Sequence, residues 1–324
     1  MGSLNRTHLL SPWHTHARGL YSILKTRGEE SLRQESSRAA FWSSYTMVVC
    51  APPFHRRHIG LRGTVGWTLT ITQQIDCLAG TLPCPEESTR WFKVIKSSMT
   101  GGEQHPIIVG EFILKISHLQ SDMLTIVRRN DYEMASRNYH ALVEGVIQAE
   151  NEADILFTRV TDRPNLMDSF WRQMYCSAKV KCYHVTQLYI NFLSHYRHCP
   201  ATPREMELRR ELCIQRVRAA AQDILDTMPM ILEPLISNND KSPKMLFDAL
   251  MIIWPLSAVY ITPSVLPEQI GTAETALLFI GRELGVKQAL SAYPGTAASR
   301  VPPQAMIPRG FGECEMVDWV GRLR

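Results

Sequence analysis

No stretch of this chain is apolar for long enough to span a bilayer. The longest apolar run, Ala249–Ile261, is 13 residues, contains Pro255 and follows Asp248. A spanning helix needs about 20 such residues, so the run reads as a buried core helix and no membrane partner is expected. The first residues, MGSLNRTHLLSPWH, lack the apolar core of an export signal, and Arg6 stands where a myristoylation motif takes Ser or Thr. Charge of either sign is not in excess. Lys and Arg number 35 against 31 Asp and Glu, a formal net charge of +4 over 324 residues. That balance points to neither a nucleic-acid surface nor a membrane surface. None of the eight cysteines stands in a C-x-x-C pair. Without an export signal they read as reduced thiols of the cytosol or nucleus. Internal repeats and low-complexity blocks are missing too.

Signatures of catalysis are also lacking. There is no G-x-S-x-G elbow, Walker loop, G-x-G-x-x-G or H-E-x-x-H. His14 and His16 fall inside a helical pattern, where residues two apart point to different faces. His55 and His58 have no acidic neighbour in sequence. Cys182, His184, His195, His198 and Cys199 are close together but lack the regular spacing of a structural zinc site. The plainer reading puts Cys182 in a core stripe and the histidines near a helix C-terminus, where they suit the dipole. No catalytic, cofactor-binding or metal-binding residue is therefore assigned, no cofactor is expected, and the chain is not expected to be an enzyme.

What is present is helical periodicity. The length allows one large or two ordinary domains. Ser11-Pro12 and Gly28 bound a segment Trp13–Arg27, with Gly28 suited to a left-handed stop. A second segment runs from about Ser36 to Cys50 before Pro52-Pro53. Residues 56–84 carry glycines and β-branched residues and fit either a short strand pair or a long loop. Pro83–Glu87 reads as a turn into a further helix. Ile113, Ile116, Leu119, Met123, Ile126 and Val127 then recur at helical spacing, and Tyr139, Leu142, Val143, Val146 and Ile147 mark the next helix. Further segments are expected at about Leu166–Tyr196, Arg204–Thr227, Met245–Ile261 and Leu266–Leu290. In Arg204–Arg218, the interleaved Glu205, Glu207 and Glu211 predict an ion-paired face, with Glu205–Arg209 and Glu207–Arg210 as neighbours, so direct DNA binding is not expected of this chain. Gly281 and Gly285, four apart, predict close helix packing. Trp254-Pro255 predicts a break that either frames a pocket or only kinks the core. The fold expected is all-α, an irregular multi-helix array of about nine to ten helices over residues 1–291. A loosely packed Pro/Gly-rich tail, 292–324, is expected to follow.

Two stretches resemble a known family. WHTHARGLYSILKTRG, residues 13–28, followed by Arg38-Ala-Ala-Phe41 and HRRH, resembles the opening of the C-terminal regulatory domain of fungal zinc-cluster transcription factors. His16, Gly19, Ile23, Leu24, Arg27 and Gly28 carry the likeness. VRAAAQDILDTMPMIL, LMIIWPLSAVY and LLFIGRELGVKQALSAY are similar, in that order, to later segments of the same domain. Trp254, Pro255, Leu256, Ile280, Gly281, Gly285, Val286 and Ala289 carry that part. Thr275–Phe279 stands where the family has a tryptophan, and the zinc cluster and coiled coil that open family members are not in this sequence. The resemblance implies a nuclear, transcription-regulating domain that binds protein partners of transcription or a small effector, and controls a metabolic or secondary-metabolite gene set. It does not imply a route to DNA. An accessory protein or enzyme of a biosynthetic pathway is the alternative.

Overall fold

A computed structural model describes residues 26–49, 84, 86–99, 103–160, 166–238, 243–286, 289–290 and 301–309. The segment 13–25, residues 56–83 and His14, His16, His55 and His58 lie outside the described residues. Among the described residues there are nine α-helices, one 3₁₀ turn and no strand. The array is all-α, as the apolar periodicity predicts. The 3₁₀ turn (Glu29–Arg33) leads into α1 (Glu35–Val49), α2 (Glu86–Ser98), α3 (Gln104–Arg128) and α4 (Tyr132–Val160). Then come α5 (Leu166–Ser194), α6 (Pro203–Asn238), α7 (Pro243–Tyr260), α8 (Pro267–Arg282) and the one-turn α9 (Pro303–Met306). No helix among the described residues is long and apolar enough to cross a membrane.

The array is organised around α5, which packs against α3, α4, α6, α7 and α9. It has buried side chains on every side, including Met174, Ala178, Val180, Cys182, Tyr189 and Phe192. A helix buried on every side has no face to give to water and must be central. The hairpin of α3 and α4 forms one wall. Asn130 closes it at φ 55°, while its N–H donates to the Val127 carbonyl and that of Asp131 to the Ile126 carbonyl. These are the two hydrogen bonds of a Schellman stop, and Asn is the residue after Gly that best tolerates that φ. Asp131 then caps α4 by accepting from the Met134 N–H at 2.9 Å.

Four expectations need correction. Helix α6 does not stop near Thr227 but runs through Pro229 and Pro234 to Asn238. Each interior proline costs about 3 kcal/mol, and burial of Ile231 and Leu232, at about 1.5–3 kcal/mol each, offsets much of that cost. The segment expected at Leu266–Leu290 ends as a helix at Arg282. Its two glycines do different work. A Cβ on Gly281 would sit 2.4 Å from Leu290, a close approach, whereas Gly285 takes φ 73° and turns the chain. Gly28 also takes a positive φ, 75°, but at ψ 160°. That lies outside the left-handed helical well, in a region open to glycine alone. Finally, the tail is not loose throughout. Residues 301–309 form a strap carrying α9, with Ala305 buried against α5.

Trp254 and Pro255 lie inside α7, buried with Ile252, Ile253 and Leu256. The helix runs through both residues without interruption, so the expected break is not seen and Trp254-Pro255 is a core feature.

Candidate functional site

Where α5 ends, the chain turns through Tyr196–Thr202 and starts α6. Three backbone choices shape this corner. The N–H groups of His195 and Tyr196 fold back to the carbonyls of Phe192 and Leu193 and close the last turn of α5. Pro200 and Pro203 bar continuous helix, and Pro203 takes the first position of α6, where its missing N–H is harmless. Thr202 caps α6, its hydroxyl accepting from the Glu205 N–H at 3.2 Å. The strap then crosses the end of α5. Asn191 Nδ2 donates to the Ala305 carbonyl at 3.2 Å, His195 Nε2 lies 2.7 Å from the Ile307 carbonyl, and Ser194 Oγ accepts from the Arg309 N–H at 2.9 Å. Asn191, Ser194 and His195 are three and four residues apart, so one face of α5 holds the strap.

These three segments line a half-open cleft of 640 Å³. Its apolar lining includes Ile190, Ala201 and Met206, all buried. Its charged lining is Arg197, Arg210, Arg309 and Glu207. Arg210 Nη2 pairs with Glu207 Oε1 at 2.7 Å. Cys199 Sγ faces Met206 Sδ at 3.4 Å, and burial raises its thiol pKa above the ordinary value. Among the described residues no group of three or more His, Cys, Asp or Glu is placed to hold a metal ion.

A second polar centre lies roughly 16 Å back along α5, at 1.5 Å per residue. Glu150 of α4 is 0% exposed, and Lys179 of α5 reaches its Oε1 at 2.5 Å. Arg216 of α6 approaches the same oxygen at 3.4 Å, and Tyr183 donates to Oε2. Beside it Tyr175 donates to Asp154 at 2.8 Å, and the Lys179 ammonium lies 5.1 Å from the Tyr175 ring centre. Burial first, and the adjacent carboxylates second, push both phenols far above their usual pKa. Lys179 and Arg216 share the Glu150 carboxylate and Asp154 accepts from Tyr175, so the centre joins three helices rather than offering a site.

The residues singled out in the sequence are not brought together. Cys182 is buried in the core, where burial pushes its thiol up, and Cys176 and Cys213 are each pushed up to about 12. These thiols stay protonated near neutral pH. His198 is exposed, and its carbonyl accepts from Ser136. His195 serves the strap instead of the helix dipole alone. His184 is buried with no hydrogen-bond partner at Nδ1. Burial first, and Lys181 one turn away second, lower its pKa to about 3, while burial lowers that of Lys181 to about 8.

This pair predicts a pH profile. Between pH 6.5 and about 3 the unfolded chain binds a proton at His184 that the folded chain refuses, so stability is lost as pH falls through that window. Between about 8 and 10.5 the unfolded chain likewise holds the Lys181 proton more tightly, so stability rises with pH there. Replacing His184 by Leu is expected to remove about 3 kcal/mol of the acid-side loss down to pH 4, and Lys181→Met to flatten the alkaline rise. Urea titrations from pH 4 to 10 test both. Unchanged slopes in the variants would contradict the assignment.

The cleft was hidden from sequence reasoning. Arg210 sits in the basic stretch already read as an ion-paired face, which it is. Arg209, however, pairs across to Glu144 of α4 and not with Glu205. Arg197 and Arg309 carry no local signal, being separated by most of the C-terminal half. No family model, no curated protein and no solved structure matches this chain.

Proposed function

We propose that this chain is a regulator of transcription that works in the nucleus by binding a small effector or a protein partner through its helical array, and so controls a metabolic or secondary-metabolite gene set. The observation that carries the reading is the cleft. It is built from residues 190–210 and 308–309, so its occupant would touch the central helix, the start of the longest helix and the strap together. A ligand that contacts one packing arrangement better than another shifts the population toward it, which is how a binding domain signals. The family resemblance supports the same reading. Trp254, Leu256, Ile280, Val286 and Ala289, which carry that likeness, are all buried core residues, as packing motifs should be.

The test is a tethered reporter. The full chain is fused to a heterologous DNA-binding module and placed at a reporter promoter in a fungal host. A severalfold rise or fall over the module alone, at matched protein level, is expected. A reporter indistinguishable from the module alone overturns the proposal.

A further inference from the structure

We propose that the cleft between α5, α6 and the strap binds a small amphipathic organic acid, with its carboxylate held among Arg197, Arg210 and Arg309 and its apolar body on Ile190, Ala201 and Met206. The inference rests on the effector-binding reading for its biological use, and on the cleft alone for its chemistry.

Size comes first. At 640 Å³ the cleft falls within the range of about 300–1,000 Å³ typical of small-molecule sites. Charge comes next. Among the described residues, three arginines and one glutamate line the cleft, so this lining carries 3 − 1 = +2. Glu207 answers Arg210 at 2.7 Å, and among the described residues Arg197 and Arg309 have no carboxylate partner. Two arginines facing a cavity without a counter-ion present a fork geometry that suits a carboxylate. The start of α6 adds the positive end of a helix dipole.

The lining also says what the ligand is not. Among the described residues histidine and aspartate are missing from it and Glu207 is paired with Arg210, so a cation has little to bind. Inorganic phosphate would use the arginines but leave the apolar residues Ile190, Ala201 and Met206 uncovered. An acid with an apolar body uses both parts.

The strap makes the site conditional. Arg309 reaches the cleft only while Asn191, Ser194 and His195 hold residues 305–309 on α5. An anion that joins Arg197 to Arg309 bridges the α5–α6 turn and the strap. Ligand binding and strap docking therefore strengthen each other, since each contributes to the same closed state.

Calorimetric titration of the purified full chain with 2-naphthoate and with its neutral amide, 2-naphthamide, tests the proposal. One naphthoate is expected to bind per chain, with the amide at least about tenfold weaker, a difference of about 1.4 kcal/mol. The double variant Arg197→Glu, Arg309→Glu should lose at least that factor. Both residues are exposed, so its melting curve should match wild type. Arg90→Glu, an exposed arginine on α2, should bind as wild type does. Asn191→Ala, which touches the strap and does not line the cleft, should also weaken naphthoate. Excess inorganic phosphate should compete poorly. No naphthoate binding at millimolar concentration, equal binding of acid and amide, or an unaffected double variant overturns the proposal, and the acid–amide comparison needs no variant to fold. Naphthoate binding with a silent tethered reporter keeps the site and removes the regulatory reading. A responsive reporter without naphthoate binding does the reverse.

Discussion

Replacing Glu150 by alanine is expected to destabilise the protein by about 3–5 kcal/mol, the usual cost of removing one partner from a buried ion pair. The carboxylate is 0% exposed and Lys179 is 12% exposed, so the ammonium left behind cannot be rehydrated without opening the α4–α5 contact. Tyr183 loses its acceptor at the same time, and Arg216 its only ion-pair partner among the described residues. A loss of this size is comparable with the whole stability of many domains, about 5–15 kcal/mol. Glu150→Gln keeps the volume and an acceptor for Tyr183 but leaves Lys179 without a counter-charge, so it is expected to cost less than alanine and well above nothing. The sharper measurement is the double variant Glu150→Ala, Lys179→Met. It removes the stranded charge, so its loss should be smaller than the sum of the single losses, by about 1–3 kcal/mol of coupling. Urea unfolding followed by tryptophan fluorescence gives all three values. Additive losses would mean that Glu150 and Lys179 do not act as a pair.

That centre shows what a sequence reveals and what it hides. Ile113, Ile116, Met123, Ile126 and Val127 stand at helical spacing, and each is buried in α3. The period of the apolar residues is set by the backbone itself, so a helix and its inner face can be read together. Glu150 offers no such signal. It lies on a polar stretch, Gln148–Asn151, and looks like a surface residue until Lys179 and Arg216 arrive from two other helices. The ends of α6 divide in the same way. Thr202-Pro203 marks its start by local chemistry, whereas its continuation past Pro229 depends on where Ile231 and Leu232 find cover. The cleft is the extreme case, because Arg197 and Arg309 face one cavity though more than a hundred residues separate them. The strap fooled composition for a related reason. Prolines and glycines predict little regular structure, but four residues in one turn, held by Asn191 and His195, need no periodicity to dock.

Arg38→Ala is expected to be as damaging as the loss of Glu150, at about 3–5 kcal/mol, and to act where α1 meets the start of α3. The guanidinium is 2% exposed and its Nε lies 2.9 Å from both carboxylate oxygens of Glu103, the residue that opens α3. Its Nη1 donates to the Arg33 carbonyl at 2.7 Å, which pins the 3₁₀ turn as well. Trp42, one turn further along α1, donates to the same carboxylate at 3.1 Å. One side chain thus joins three segments that otherwise share little contact. Around it Phe41, Trp42, Trp91, Phe92 and Trp171 meet mainly edge to face, including Trp42 against Trp171 at 5.9 Å. Alanine would take the guanidinium from Glu103, which is only 13% exposed, and this donor from the Arg33 carbonyl. Arg38→Lys should not rescue it, because a point ammonium cannot serve a carboxylate and a carbonyl on different sides as the planar fork does. Glu103→Gln should cost less, since the amide still accepts from Trp42. The loss should also be local at first, with Trp42 fluorescence shifting to longer wavelength at lower urea than the helical signal falls. If Arg38→Lys melts with wild type, the fork geometry is not what holds this corner, and the Arg38-Ala-Ala-Phe41 motif owes its place to Phe41 alone.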